Sequence, residues 1–207
     1  MKRILCVVLL SGALIVVFFA FNKENATASA TKVAGSLNPP LWEQSISKER
    51  AARVKRGDTM ALPGKELLRL LPNCIASYQP SGNSGSSLIS LMGSKYRVAE
   101  QTYKKDKKTL KVSITDYNAA YTLYNVATAT FASGVAIDNN EQIVKPIALP
   151  SKEAKGWETF DKQSNKATVF VGIGDRFLIT IEATDQPNPQ DLEKIVEGLD
   201  LGVFSGK

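Results

Sequence analysis

The sequence predicts an α+β fold, an antiparallel sheet of about five to six strands flanked by helices. Three observations predict it. Apolar residues alternate with polar ones through "SKYRVAEQTYKKDKKTLKVSITD" and again through "AKGWETFDKQSNKATVFVGIGDRFLITIEATD", the period of a strand with one buried face. The period lengthens to that of a helix in "NAAYTLYNVATATF", and a capped helix closes the folded region.

The elements follow in order. Residues 1–21, "MKRILCVVLLSGALIVVFFAF", place Lys2 and Arg3 ahead of an uncharged apolar run, the pattern of an export segment. Ala28-Ser29-Ala30 fits a signal-peptidase site with the cut after Ala30. The run is also long enough to stay as an anchor. Either outcome puts the folded part outside the cytoplasm, because Lys2 and Arg3 stay inside. The expected location is therefore periplasmic or secreted, with an inner-membrane anchor facing outward as the alternative. Cys6 lies at the start of the apolar run and not just after it, which disfavours a lipoprotein.

Residues 31–60 read as a linker with a peripheral basic helix. Pro39-Pro40 precede "LWEQSISKERAARVKRGD", which carries Lys48, Arg50, Arg53, Lys55 and Arg56 and stops at Gly57. Such a helix is a solvated charged face or a basic arm on a membrane surface. Residues 61–207 are read as a single α+β domain, the size at which one core is sustained. Gly64 to Leu71 suits a short helix with Leu67, Leu68, Leu70 and Leu71 inward, stopped by Pro72. Cys74, the only cysteine beyond the export segment, reads as a small buried apolar residue. Residues 81–87, "SGNSGSS", read as a flexible connector. The hairpin 94–116 turns at "KKDKK", whose lysines are a solvated tip.

Over 118–131, Ala120, Leu123, Tyr124, Ala127 and Phe131 share a helical face that Gly134 ends. "EQIVKPIALP" and 154–184 supply up to four strands, turning at Pro150-Ser151, Gln163–Asn165 and Gly174-Asp175. Asn188 caps a last helix over 189–198, with Pro189 at its first position. Gly172 and Gly174 imitate a phosphate loop. A dinucleotide loop needs a helix after Gly-x-Gly-x-x-Gly, but Phe177 stands where the third glycine belongs and strand-like "RFLITIEA" follows. These are hairpin glycines.

The chain contains no histidine. That removes Ser-His-Asp and Cys-His catalysis and histidine-ligated zinc. One cysteine beyond the export segment excludes thiolate zinc sites and CxxC redox chemistry as well. Asp116, Asp138, Glu141, Asp161, Asp175 and Glu182 are carboxylates from which a glycosidase-like pair would be drawn, but no spacing singles out two of them. "DNNEQ" lacks the alternation of a calcium loop, and the Ser-Lys pair in "SISKE" lies in the weakly patterned arm. The formal charge is +6, of which Lys2, Arg3, Lys23 and Glu24 contribute +2, leaving +4 on residues 31–207. So mild an excess does not make a nucleic-acid interface.

What remains is a ligand groove. Asp175 and Arg176 form a charged pair at a strand start, and Trp157, Tyr117, Tyr121 and Tyr124 are aromatics with polar tips. A groove uses such residues, and ordinary core packing uses them too. The order of elements, with "LLPNCIASYQ" before the first strand pair and "VGIGDRFLITIE" before the terminal helix, resembles exported bacterial domains of unknown function and the PsbP-like architecture. The resemblance covers about residues 62–204 and implies a fold, with no catalytic residues carried over.

The sequence thus points to a non-catalytic exported binding or accessory module that takes an unidentified protein or small molecule. No cofactor, metal or nucleic acid is expected, and the basic arm offers a contact to a membrane surface. A carboxylate-dependent hydrolase and a membrane-tethered structural factor are the alternatives.

Overall fold

In the computed structural model, residues 47–204 are described, apart from 92, 135, 150, 152–153 and 186–189. The export segment with its cleavage site, Pro150 of the expected turn, and Asn188-Pro189 lie outside the described residues. All described residues fall in one compact unit, Leu41–Lys207.

Eight strands form one antiparallel sheet in the order β1-β2-β3-β8-β7-β6-β5-β4. They are β1 (Gln79–Leu91), β2 (Ser94–Lys105), β3 (Lys108–Asp116), β4 (Ile137–Asp138), β5 (Gln142–Ile147), β6 (Ala154–Asp161), β7 (Lys166–Ile173) and β8 (Phe177–Thr184). The helices are α1 (Lys48–Lys55), α2 (Gly64–Leu68), α3 (Tyr121–Ser133) and α4 (Gln190–Glu197), with a final 3-10 turn at Leu201–Phe204. Two meanders, β1–β3 and β4–β8, meet where β3 pairs with β8. α3 lies in the connection between the two meanders.

The α+β class and the antiparallel sheet are as the sequence predicts, but the sheet has eight strands in place of five to six. The two-residue β4 is too short to show a period. The larger difference is β1, because the Gly/Ser segment read as a connector pairs with β2 from Gln79↔Lys104 to Leu91↔Ser94. A ladder is made by backbone N–H and C=O groups, so a strand needs no apolar side chains when its partner supplies the buried face. β1 still carries its glycines' mark: the register shifts between Ser81 and Gly85, and Gln101 closes the gap by donating to Ser81 O (3.2 Å) and Gly82 O (3.4 Å).

The sheet buries two unequal faces. Ala99, Tyr103, Leu110, Val112, Ile114, Val169, Val171, Ile179 and Ile181 form one core with Leu67 and Leu71 from the α2 segment and with Ile195, Val196, Leu199, Leu201 and Phe204. On the other face Tyr96, Val98, Trp157 and Leu178 are buried, and α3 packs against β6. Beyond α3 that face is polar, with Lys111 2.8 Å from Glu100 and Lys166 2.7 Å from Glu182. α3 ends as predicted at Gly134, whose φ of +61° suits glycine at a helix C-terminus. Its Ala120 and Tyr124 are buried; the Phe131 side chain lies outside what is described.

Candidate functional site

The residues singled out by sequence come together around the junction of β3 and β8. Asp116 ends β3 and pairs in register with Phe177, so its carboxylate faces the residue that enters β8, Arg176. The guanidinium donates from Nε to Asp116 Oδ1 at 3.0 Å and from Nη2 to Oδ2 at 2.9 Å. Its Nη1 donates to Asp58 Oδ2 at 3.0 Å. Arg176 and Asp116 are both buried, 1% and 0% exposed. Asp116 also accepts from the backbone N–H of Leu62 (2.8 Å) and of Asn118 (2.9 Å). The sequence suggests Arg176 in a surface pair with Asp175 or at a groove mouth, but the fold uses it internally.

α1 completes the cluster. Ser47 caps it, accepting from Arg50 N at 3.2 Å, and the helix turns Arg53 into the protein. Arg53 donates to Asn118 Oδ1 (3.3 Å), Gly174 O (2.9 Å) and Asp175 O (3.2 Å). Asn118 in turn donates from Nδ2 to Asp58 Oδ1 at 2.7 Å and Met60 O at 3.0 Å. Burial first, then the neighbouring Arg176, holds the Arg53 guanidinium's pKa below its ordinary value. Arg53 and Arg176 are balanced by Asp58 and Asp116, which is the condition for keeping two cations out of water. Of the basic residues on α1, Arg53 is buried and Arg50 lies over the Tyr121 ring at 4.0 Å from its centroid. Lys48, Lys55 and Arg56 remain exposed.

The tyrosines continue inward. Tyr121 stacks on Tyr124 with ring centroids 6.4 Å apart, Tyr124 meets Tyr117 edge-on at 6.2 Å, and Tyr117 meets Tyr96 at 5.1 Å. Tyr117, Tyr124 and Tyr96 are buried. Trp157 is buried apart from them on β6, opposite Phe170 and Pro146. Burial raises the hydroxyls of Tyr117 and Tyr124 well above the ordinary tyrosine range. Tyr103, donating to Pro72 O at 2.6 Å, is pushed up to about 12 chiefly by burial.

An unfolded tyrosine ionises near pH ~10. Above that pH the unfolded chain releases protons that the folded chain retains, so stability should hold below about pH 10 and fall as pH rises through about 12. Urea midpoints across that window test this, and a midpoint that stays flat to about pH 12 would contradict it.

A second feature, which no local sequence pattern marks, is a cleft of about 300 Å³ over the main core face. Val112 and Ile114 of β3 and Ile179 of β8 form its floor. One wall is the α2–β1 connection, Arg69 to Cys74, and the other is the C-terminal run Gly198, Leu199, Asp200, Val203 and Phe204. Leu67 seats the first wall in the core, and Phe204 seats the second by packing on Phe177 at 5.1 Å. Cys74, which its residue type would bury, is exposed at this cleft. It lies in the irregular chain after Pro72, where no helix or strand face carries it inward. The volume is at the lower end of those that hold small molecules.

Among the described residues no three His, Cys, Asp or Glu side chains gather as metal ligands, and no helix is long and apolar enough to cross a membrane. Compared with family models, curated proteins and solved structures, the chain matches none.

Proposed function

We propose that this protein is an exported envelope protein whose folded part is a non-catalytic binding module, and that its ligand is a small amphipathic molecule held in the cleft between the α2–β1 connection and the C-terminal run. The carrying observation is the cleft itself: Val112, Ile114 and Ile179 lie almost wholly buried beneath it, and its open surface mixes apolar groups with Arg69, Asn73 and Asp200. Sites that orient small molecules set apolar surface beside a few placed polar groups.

The disposition of the acids supports a non-catalytic reading. Asp116 is engaged by Arg176 and two backbone N–H groups. Asp138 pairs with Lys162, Glu182 with Lys166, and Asp161 caps the turn at Gln163 and Ser164. Export is supported by Lys2, Arg3 and the apolar run after them.

Two measurements test the reading. 8-Anilinonaphthalene-1-sulfonate, an apolar dye with one anionic group, should bind the purified protein saturably. Val203→Asp, at a cleft position 38% exposed, should weaken that binding about tenfold or more by placing a carboxylate beside the apolar surface, without changing the melting temperature. Dye binding unaffected by Val203→Asp would sink the cleft as the site. Intact mass and fractionation test export: a chain beginning at Thr31 in the soluble envelope fraction is expected, and a cytoplasmic full-length chain would refute it.

A further inference from the structure

The geometry points to the outer edge of β1 as a self-association site, where a second copy of this chain adds its own β1 in antiparallel register about a two-fold axis through Leu88. Of the two ends of the sheet, the β4 end finishes in an edge strand of only two residues. The β1 end presents thirteen, mostly exposed, and among the described residues no strand pairs with that outer edge. Long open edges are ordinarily blunted by charge, proline or bulges. The first part of β1 has such guards, Pro80 and the register shift between Ser81 and Gly85.

From Gly85 to Leu91 they stop: pairing with β2 runs unbroken from Gly85↔Glu100 to Leu91↔Ser94. β1 is also the one strand of the eight without a charged residue.

The occupant follows from the symmetry of that stretch. Leu88 is its central residue and is 54% exposed. A two-fold axis there sets Leu88 against Leu88, Ser86 against Ser90, Ser87 against Ile89 and Gly85 against Leu91. Apolar meets apolar at the centre and no like charges face each other in the ladder, while the Ser86 hydroxyl is turned inward beneath Gly64 of α2. Cross-strand pairs of this kind stabilise a sheet, whereas opposed like charges destabilise it. An isologous two-fold contact also closes on itself, giving a dimer with one continuous sheet.

Cysteine cross-linking in the full-length chain, expressed in its own cell with Cys6→Ser and Cys74→Ser, reads this register. Directly opposed residues in an antiparallel pair have Cα atoms about 4.5–5.5 Å apart, within disulfide reach. Leu88→Cys should therefore give about tenfold more disulfide-linked dimer than Ser90→Cys, whose two copies would lie about 14 Å apart. Leu88→Lys, at an exposed position that should not unfold the protein, should weaken dimerisation of the purified chain about tenfold in sedimentation equilibrium. Equal cross-linking at both positions, capture of a different protein by the Leu88→Cys chain, or an unchanged sedimentation profile for Leu88→Lys would each overturn the proposal. The first two are also what an edge covered by another segment of the chain, or by another partner, would give.

Discussion

Replacing Asp116 by alanine is expected to lower the unfolding free energy by about 3–5 kcal/mol, the effect of leaving a buried guanidinium without its partner. Arg176 is 1% exposed and gives two of its hydrogen bonds to this one carboxylate. The lost acceptors also strand the backbone N–H of Leu62 and Asn118, which ties the segment after α1 to the end of the sheet. Urea denaturation at neutral pH measures the loss. The pair Asp116→Leu and Arg176→Met should be less damaging together than the sum of the singles by about 0.5–3 kcal/mol, because each removes a charge the other leaves exposed to an apolar interior. A loss below about 1 kcal/mol for Asp116→Ala is the behaviour of a solvated surface pair and would show that the cluster does not hold α1 in place.

Leu67→Ala is expected to cost about 2–5 kcal/mol. Leu67 is fully buried in the main core and is the residue through which the five-residue α2 enters it. So short a helix has little stability of its own, so its position depends on this contact. The same substitution should weaken dye binding, since α2 leads directly into the Arg69–Cys74 wall of the cleft. A stability loss with dye affinity unchanged would separate the wall from α2 and place the binding surface elsewhere.

How much of the fold is legible in the sequence depends on the range over which each feature is encoded. The hairpin of β2 and β3 declares itself locally through its alternation around a lysine-rich turn, but its single buried face does not hold: Val112 and Ile114 pair with Gln101 and Ala99 on the main core face, whereas Tyr96 and Val98 are buried on the opposite face. α3 is equally legible from its spacing and from Gly134. β1 is not, because glycine and serine carry no periodic signal and the strand exists through the backbone bonds that β2 offers it. The polar cluster is half legible. Asp175-Arg176 and the tyrosines stand out in the sequence, but the partners of Arg176 are 60 and 118 residues away, and Arg53 reaches carbonyls 121 and 122 residues away. No local pattern marks such a pairing; only the register of β3 on β8 creates it.

The cleft is invisible in the sequence for the same reason, since its walls come from segments separated by most of the sheet. Cys74 departs from expectation because residue type alone suggests burial, whereas its exposure follows from lying between elements.

The most direct test of the cleft as the binding site is methyl-resolved NMR of the purified protein during titration with 8-anilinonaphthalene-1-sulfonate. The largest shifts are expected at Val112, Ile114, Ile179, Leu199 and Val203, which line one cleft, with little change in the ring signals of Tyr121 and Tyr124. Shifts concentrated at Tyr121, Tyr124 and the Arg50 side chain, with the cleft methyls unmoved, would contradict it and return the ligand to the aromatic cluster.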